Sequence, residues 1–141
     1  MSERSLMILI AGPYRSGTGD DPERMADNLR RLESVALPLY RAGHIPLIGE
    51  WIALPLLREA GSVRPGDAVY EEILYPIAHR LLSRCDAVLR LPGASKGADE
   101  DVKVARERAL WCLSGLRMCL GVSEGAPADS LLSKTFPGKV R

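Results

Sequence analysis

Six consecutive apolar residues, Leu6-Met-Ile-Leu-Ile-Ala11, run straight into Gly12-Pro13 near the start of the chain. A strand that is apolar at every position, rather than at alternate ones, has to be covered on both faces. A parallel sheet with helices on either side does this. The run is therefore expected to be the central strand of an α/β domain.

The rest of the chain keeps the same alternation. A helix is expected from Pro22 to about Arg41, with Asp21 as N-cap and Pro22 at its first position. Met25, Leu29, Leu32, Ala36 and Leu39 give it an apolar face, Pro38 a kink and Gly43 a stop. His44-Ile-Pro-Leu-Ile48 reads as a second strand, and Pro46, which cannot donate to a neighbour, assigns it an outer position. A helical segment covers Ile52 to Leu57, and after the Gly61–Gly66 loop a helix capped by Asp67 runs to Cys85, interrupted at Pro76. Ala87 to Leu91 is the third strand. A helix then runs from near Gly97 to a stop at Ser114-Gly115, with Ala98, Val102, Ala105, Ala109 and Leu113 as its apolar stripe, and Leu116 to Val122 is the fourth strand. Strand and helix in alternation imply a single-domain, Rossmann-like or flavodoxin-like parallel sheet of four to five strands with helices on both faces. That domain is assigned to residues 1–122, and residues 123–141, rich in Gly, Pro and Ser, to a partly disordered tail.

Charge narrows the function. The net charge is only +1 and the basic residues are spread along the chain without a run, so no footprint for a nucleic-acid duplex or an anionic membrane is present. No apolar run approaches the roughly 20 residues of a membrane span, and the polar start Met-Ser-Glu-Arg-Ser carries no leader signal, so a cytoplasmic protein acting on a small molecule is expected. Cys85, Cys112 and Cys119 lie in apolar segments without a C-x-x-C pair, and His44 and His79 have no ligand partners at metal spacing, so neither metal nor cofactor is called for.

Three loops should open on the carboxyl edge of the sheet, where open α/β folds bind ligands. The first, Gly12 to Asp21, is glycine-rich and polar. Its Gly12-x4-Gly17 spacing is that of a phosphate loop, but Thr18 and Gly19 stand where the Lys and Ser/Thr would have to be, which excludes a nucleoside triphosphatase. The second carries Glu50 and Trp51, the latter a possible stacking plane for a base or a plain core residue. The third, Ser95 to Asp101, enters a helix through three acids. At about 100° per residue, Glu100 points to solvent, while Asp99 and Asp101 border the apolar stripe and can look into a cleft. Acids in a first turn also simply offset the helix dipole.

These pieces together resemble the nucleoside 2-deoxyribosyltransferase superfamily, close to its small bacterial branch. The matching segments are Ile8-Leu-Ile-Ala-Gly-Pro-Tyr14, Ala42-Gly-His-Ile-Pro46, Cys85-Asp-Ala-Val88, and Leu91-Pro-Gly93 followed by Ser95-Lys-Gly97 and the acidic turn. The resemblance implies a homodimer or larger homo-oligomer that cleaves or transfers at the N-glycosidic bond of a nucleoside or its 5′-monophosphate. It implies a carboxylate nucleophile four residues after the Ser-x-Gly glycine, which is Asp101, where the family normally has Glu. Ala78 stands where the family often carries an Asp that helps protonate the leaving base, with His79 beside it. The candidate catalytic residues are thus Asp101 and Tyr14, which would orient it. The candidate substrate-binding residues are Gly12, Pro13, Arg15, Ser16, Gly17, Glu50, Trp51, Ser95, Gly97 and Ala98. The alternative is a non-catalytic relative that holds a nucleotide in the same cleft.

Overall fold

The computed structural model describes residues 5–114. The strand expected at 116–122 and the tail at 123–141 lie outside the described residues. In chain order the elements are β1 (Met7–Ala11), α1 (Pro22–Glu33), α2 (Ala36–Arg41), β2 (Ile45–Ile48), α3 (Gly49–Glu59), α4 (Ala68–Leu82), β3 (Ala87–Arg90), α5 (Lys96–Glu107) and β4 (Trp111–Ser114). The strands form one all-parallel sheet in the order β2-β1-β3-β4. Helices flank it, giving the Rossmann-like α/β architecture that the apolar first strand requires.

Both faces of β1 are used. Ile8 and Ile10 pack with Leu32 of α1, Leu39 of α2 and Leu89 of β3 on one side. Leu9 and Ala11 pack with Leu82 of α4 and with Ala98 and Ala105 of α5 on the other. A fully buried Leu or Ile contributes about 1.5–3 kcal/mol, so this strand is the energetic centre as well as the geometric one. β2, which contains Pro46, is an edge strand. α3 lies against α4 through Ala53, Leu57, Tyr70 and Leu74.

The chain leaves β1 outward to β2 and then returns past β1 to β3, so its direction across the sheet reverses between β1 and β3. Such a reversal leaves a crevice at the strands' carboxyl ends. Ala11 is paired with Arg90 and Ile10 with Ile48, and Leu91 N donates to the Ala11 carbonyl over 2.8 Å. The loops after β1 and β3 and the start of α3 are therefore neighbours.

Three expectations are corrected. The first helix is not one bent rod: it breaks at Ser34-Val35 into α1 and α2. Pro38 has no N–H for the Ser34 carbonyl and its ring crowds that group, so the break falls one turn before the proline. Pro76, by contrast, lies inside a continuous α4. The last helix ends at Glu107, and β4 follows at Trp111–Ser114, so Ala109 and Leu113 are not helical. The reason is a left-handed cap. Ala109 sits at φ 57° with its N–H bonded to the Arg106 carbonyl and the Leu110 N–H to the Ala105 carbonyl. This is the Schellman pattern, repeated at Gly43 after α2 and Gly61 after α3, where glycine takes the positive φ.

At Ala109 the same conformation carries a Cβ. Ala109→Gly removes a left-handed alanine's cost of about 1–2 kcal/mol, partly offset by the freer unfolded chain. It should stabilise the protein by roughly 0.5–1 kcal/mol and raise the thermal midpoint by a few degrees. A lowered midpoint would mean that Ala109 does not hold the cap in solution.

Candidate active site

The loop from Gly12 to Asp21 is shaped by contact and by pairing. A Cβ on Gly12 would lie 2.8 Å from Leu32 Cδ2 and 3.2 Å from Leu91 Cβ, so a side chain there would crowd the close passage of the chain between α1 and the β3 loop. The Tyr14 carbonyl accepts from Asn28 Nδ2 over 2.8 Å, which ties the loop to α1. Arg15 donates twice to Asp20, Nε to Oδ1 at 2.6 Å and Nη2 to Oδ2 at 3.1 Å. Its guanidinium lies 5.5 Å from the Tyr70 ring centroid, and a Cβ on Gly66 would come within 2.6 Å of Nη2. One side chain therefore fastens the loop to α4 and to the turn before it.

The N-terminal turn of α5 sorts its three acids. Ser95 caps the helix, its buried Oγ accepting from Ala98 N at 3.1 Å. Asp99 is exposed and bonded to Arg90 Nη2 at 3.0 Å, so it does not enter the cleft, and Glu100 is exposed. Asp101 turns inward with its side chain only 15% exposed.

It lines a cavity of about 60 Å³ at the carboxyl edge of the sheet. Of the residues singled out from the sequence, Gly12, Tyr14, Arg15, Ser16, Glu50, Ser95, Gly97, Ala98 and Asp101 meet there. Pro13, Gly17 and Trp51 do not line it. Pro13 packs its ring against Gly93, Gly17 forms a left-handed turn at φ 73°, and the Trp51 indole Nε1 donates to Glu33 Oε2 at 2.8 Å, facing α1. Leu74, Tyr75 and Ala78 of α4 also line the cavity; Leu74 had no sequence signal beyond helical periodicity and Tyr75 had none, whereas Ala78 stands at the position that the family resemblance marks for an Asp.

The cavity is electrostatically unusual. Asp101 is pushed up to about 7, first by burial, then by the charges of Glu50 and Glu100, against the opposing pull of Arg90. Burial also raises Glu50, and burial together with Glu50 raises the Tyr14 phenol. Two carboxyls thus share a partly dry space in which both do not comfortably ionise at once. Among the surrounding charges, that of Arg90 favours the ionised form of Asp101. His79 Nε2 lies 3.4 Å from Asp101 Oδ1, in an orientation that makes no hydrogen bond. Among the described residues no group of three or more His, Cys, Asp or Glu could hold a metal ion, and no helix is long and apolar enough to cross a membrane.

One ionised and one protonated carboxyl, with a phenol beside them, can perform covalent displacement with proton transfer to a leaving group. No protein-family model matches the chain, and no curated protein matches it.

Proposed function

We propose that the protein cleaves the N-glycosidic bond of a nucleoside or nucleoside 5′-monophosphate, or transfers its sugar to another base, through Asp101. The observation that carries the reading is the meeting of Asp101, Glu50 and Tyr14 in one cavity at the sheet's carboxyl edge. It agrees with the resemblance to nucleoside 2-deoxyribosyltransferases in its Gly12-Pro-Tyr14 and Ser95-x-Gly97 segments.

In this mechanism ionised Asp101 attacks the anomeric carbon while the carbon–nitrogen bond breaks. The bonding pair leaves with the base, and protonated Glu50 delivers a proton to it. Tyr14 donates to the reacting carboxylate and holds its direction. The resulting ester is opened by water or by a second base, whose proton returns to the Glu50 carboxylate, and Asp101 leaves ionised. Two moderate barriers replace one high one.

The cavity, about 60 Å³, is partly open to solvent at the carboxyl edge of the sheet, and Gly12, Tyr14, Arg15 and Ser16 of the first loop form one of its walls. Incubating the protein with a panel of nucleosides and 5′-monophosphates, with and without an acceptor base, tests the reading through release of free base. Asp101 is a methylene shorter than the Glu usual in the family. This favours a second reading, a relative that binds nucleotide without turnover, and binding with no base release would select it.

Arg15 is the cation that the first loop offers to a 5′-monophosphate, and it is already neutralised by Asp20. The pair is more than a third exposed on both sides, 35% and 43%, so solvent screens it and holds it only weakly. A phosphate can displace Asp20. Asp20→Asn should raise affinity for a 5′-monophosphate by up to about fivefold with little change for the nucleoside. Arg15→Gln should remove a charged hydrogen bond of about 1.5–3 kcal/mol and with it the preference for monophosphates. Calorimetric titration of a nucleoside and its 5′-monophosphate decides this, and equal affinities in the parent would take phosphate binding away from the loop.

A further inference from the structure

We propose that His79 is the positioning residue for Asp101: its Nε2–H holds Asp101 Oδ1, keeping that carboxylate ionised and leaving its other oxygen for the sugar. The inference rests on the glycosidic reading above and adds a residue to it.

The geometry carries it. Ala78 lines the cavity, and the next residue of α4 is turned about 100° further round the helix, so the imidazole lies toward α5 rather than over the cavity. Its Nε2 is fully buried, makes no hydrogen bond, and lies 3.4 Å from Asp101 Oδ1. Buried polar atoms are nearly always satisfied, and one without a partner calls for an explanation. Catalytic hydrogen bonds in ligand-free proteins are often a few tenths of an ångström long and close on binding. The backbone here is held for that purpose: Arg108 Nη1, at the end of α5, donates to the His79 carbonyl over 3.0 Å. Asp99 cannot use the same device, being bonded to Arg90 on the outer side. The buried Nε2 also argues against His79 as the direct acid for the leaving base, since that atom opens onto neither solvent nor the cavity.

The groups facing Asp101 come from four elements: His79 on α4, Glu50 on α3, Arg90 on β3 and Glu100 on α5 itself. Glu50 and Glu100 oppose its ionisation and Arg90 favours it. A donor from His79 adds to the favourable side.

The test reads Asp101 directly, by carbon NMR titration of its carboxyl in the ligand-free protein, so it does not depend on activity. His79→Leu removes the donor and should raise the Asp101 midpoint by about one pH unit. His79→Gln, whose amide N–H reaches nearly the same place, should raise it much less. The acid limb of kcat/KM should move by the same amounts, with KM nearly unchanged. An Asp101 midpoint that is the same in the parent and both variants overturns the proposal. If His79→Leu does not fold, the parent decides: coupled groups each titrate in two steps, and single-step, independent curves for Asp101 and His79 overturn it equally. Coupling in the spectra with no base release by the parent would reject the glycosidic reading and the catalytic role together. Base release with unmoved acid limbs would reject the positioning role alone.

Discussion

Asp101→Asn is expected to lower base release by about three orders of magnitude or more, the scale of losing a nucleophile, while the fold becomes more stable above neutral pH. The two effects share a cause. Asp101 is raised from 3.8 to about 7, so between those values the folded protein keeps a proton that the unfolded chain has lost. Parent stability therefore falls as pH rises across that window and stays at the lower level above it. Three units at 1.36 kcal/mol each set a ceiling of about 4 kcal/mol on the cost of charging Asp101 in its buried site beside Glu50 and Glu100. Asparagine carries no charge at any pH. Denaturant unfolding should find the variant more stable than the parent by up to a few kcal/mol at pH 8 and nearly equal to it at pH 4. A gap of the same size at both pH values would mean that Asp101 is not held in a charge-hostile environment.

Glu50→Gln should separate proton donation from attack. A positioned general acid contributes about 10²–10⁴-fold, and its worth depends on how badly the leaving base needs a proton. The variant should lose rate by that factor on ordinary nucleosides and much less on one whose base departs as a stable anion. The pH profile carries a second signature. An acid works only while protonated, so parent activity falls as pH rises through the Glu50 value, which burial lifts above the ordinary carboxylate range. In Glu50→Gln that alkaline fall should vanish while the acid limb set by Asp101 remains. Equal losses for good and poor leaving groups would assign Glu50 to substrate binding instead.

The sequence is legible where local chemistry dominates. An unbroken apolar run bounded by turn residues reads as a doubly covered strand, and Leu6 and Ile8 to Ala11 are buried, with Met7 half-buried, beside β2 and β3. Pro46 marks an edge, and Asp21 and Asp67 cap their helices as side chains of that kind do. Helical phase alone separates Asp101 from the exposed Glu100. It does not resolve Asp99 from Asp101, because the choice between two border positions is made by Arg90 on another element. Positions settled by long-range packing stay hidden. The Trp51 ring faces α1 because Glu33 waits there. Tyr75 reaches the cavity and His79 reaches Asp101 only because α4 crosses α5 at that level. Ala109 hides the end of α5, since a left-handed turn is normally announced by glycine.

Trapping the sugar on the protein tests the central claim most directly. A 2-deoxy-2-fluoro nucleoside destabilises the cation-like transition states of both steps, and with it the glycosyl ester accumulates long enough to be weighed. Intact mass should rise by one fluorosugar, fragmentation should place it on Asp101, and Asp101→Asn should not be labelled. A label on Glu50 or Glu100, or base release from the parent that persists in Asp101→Asn, would contradict it.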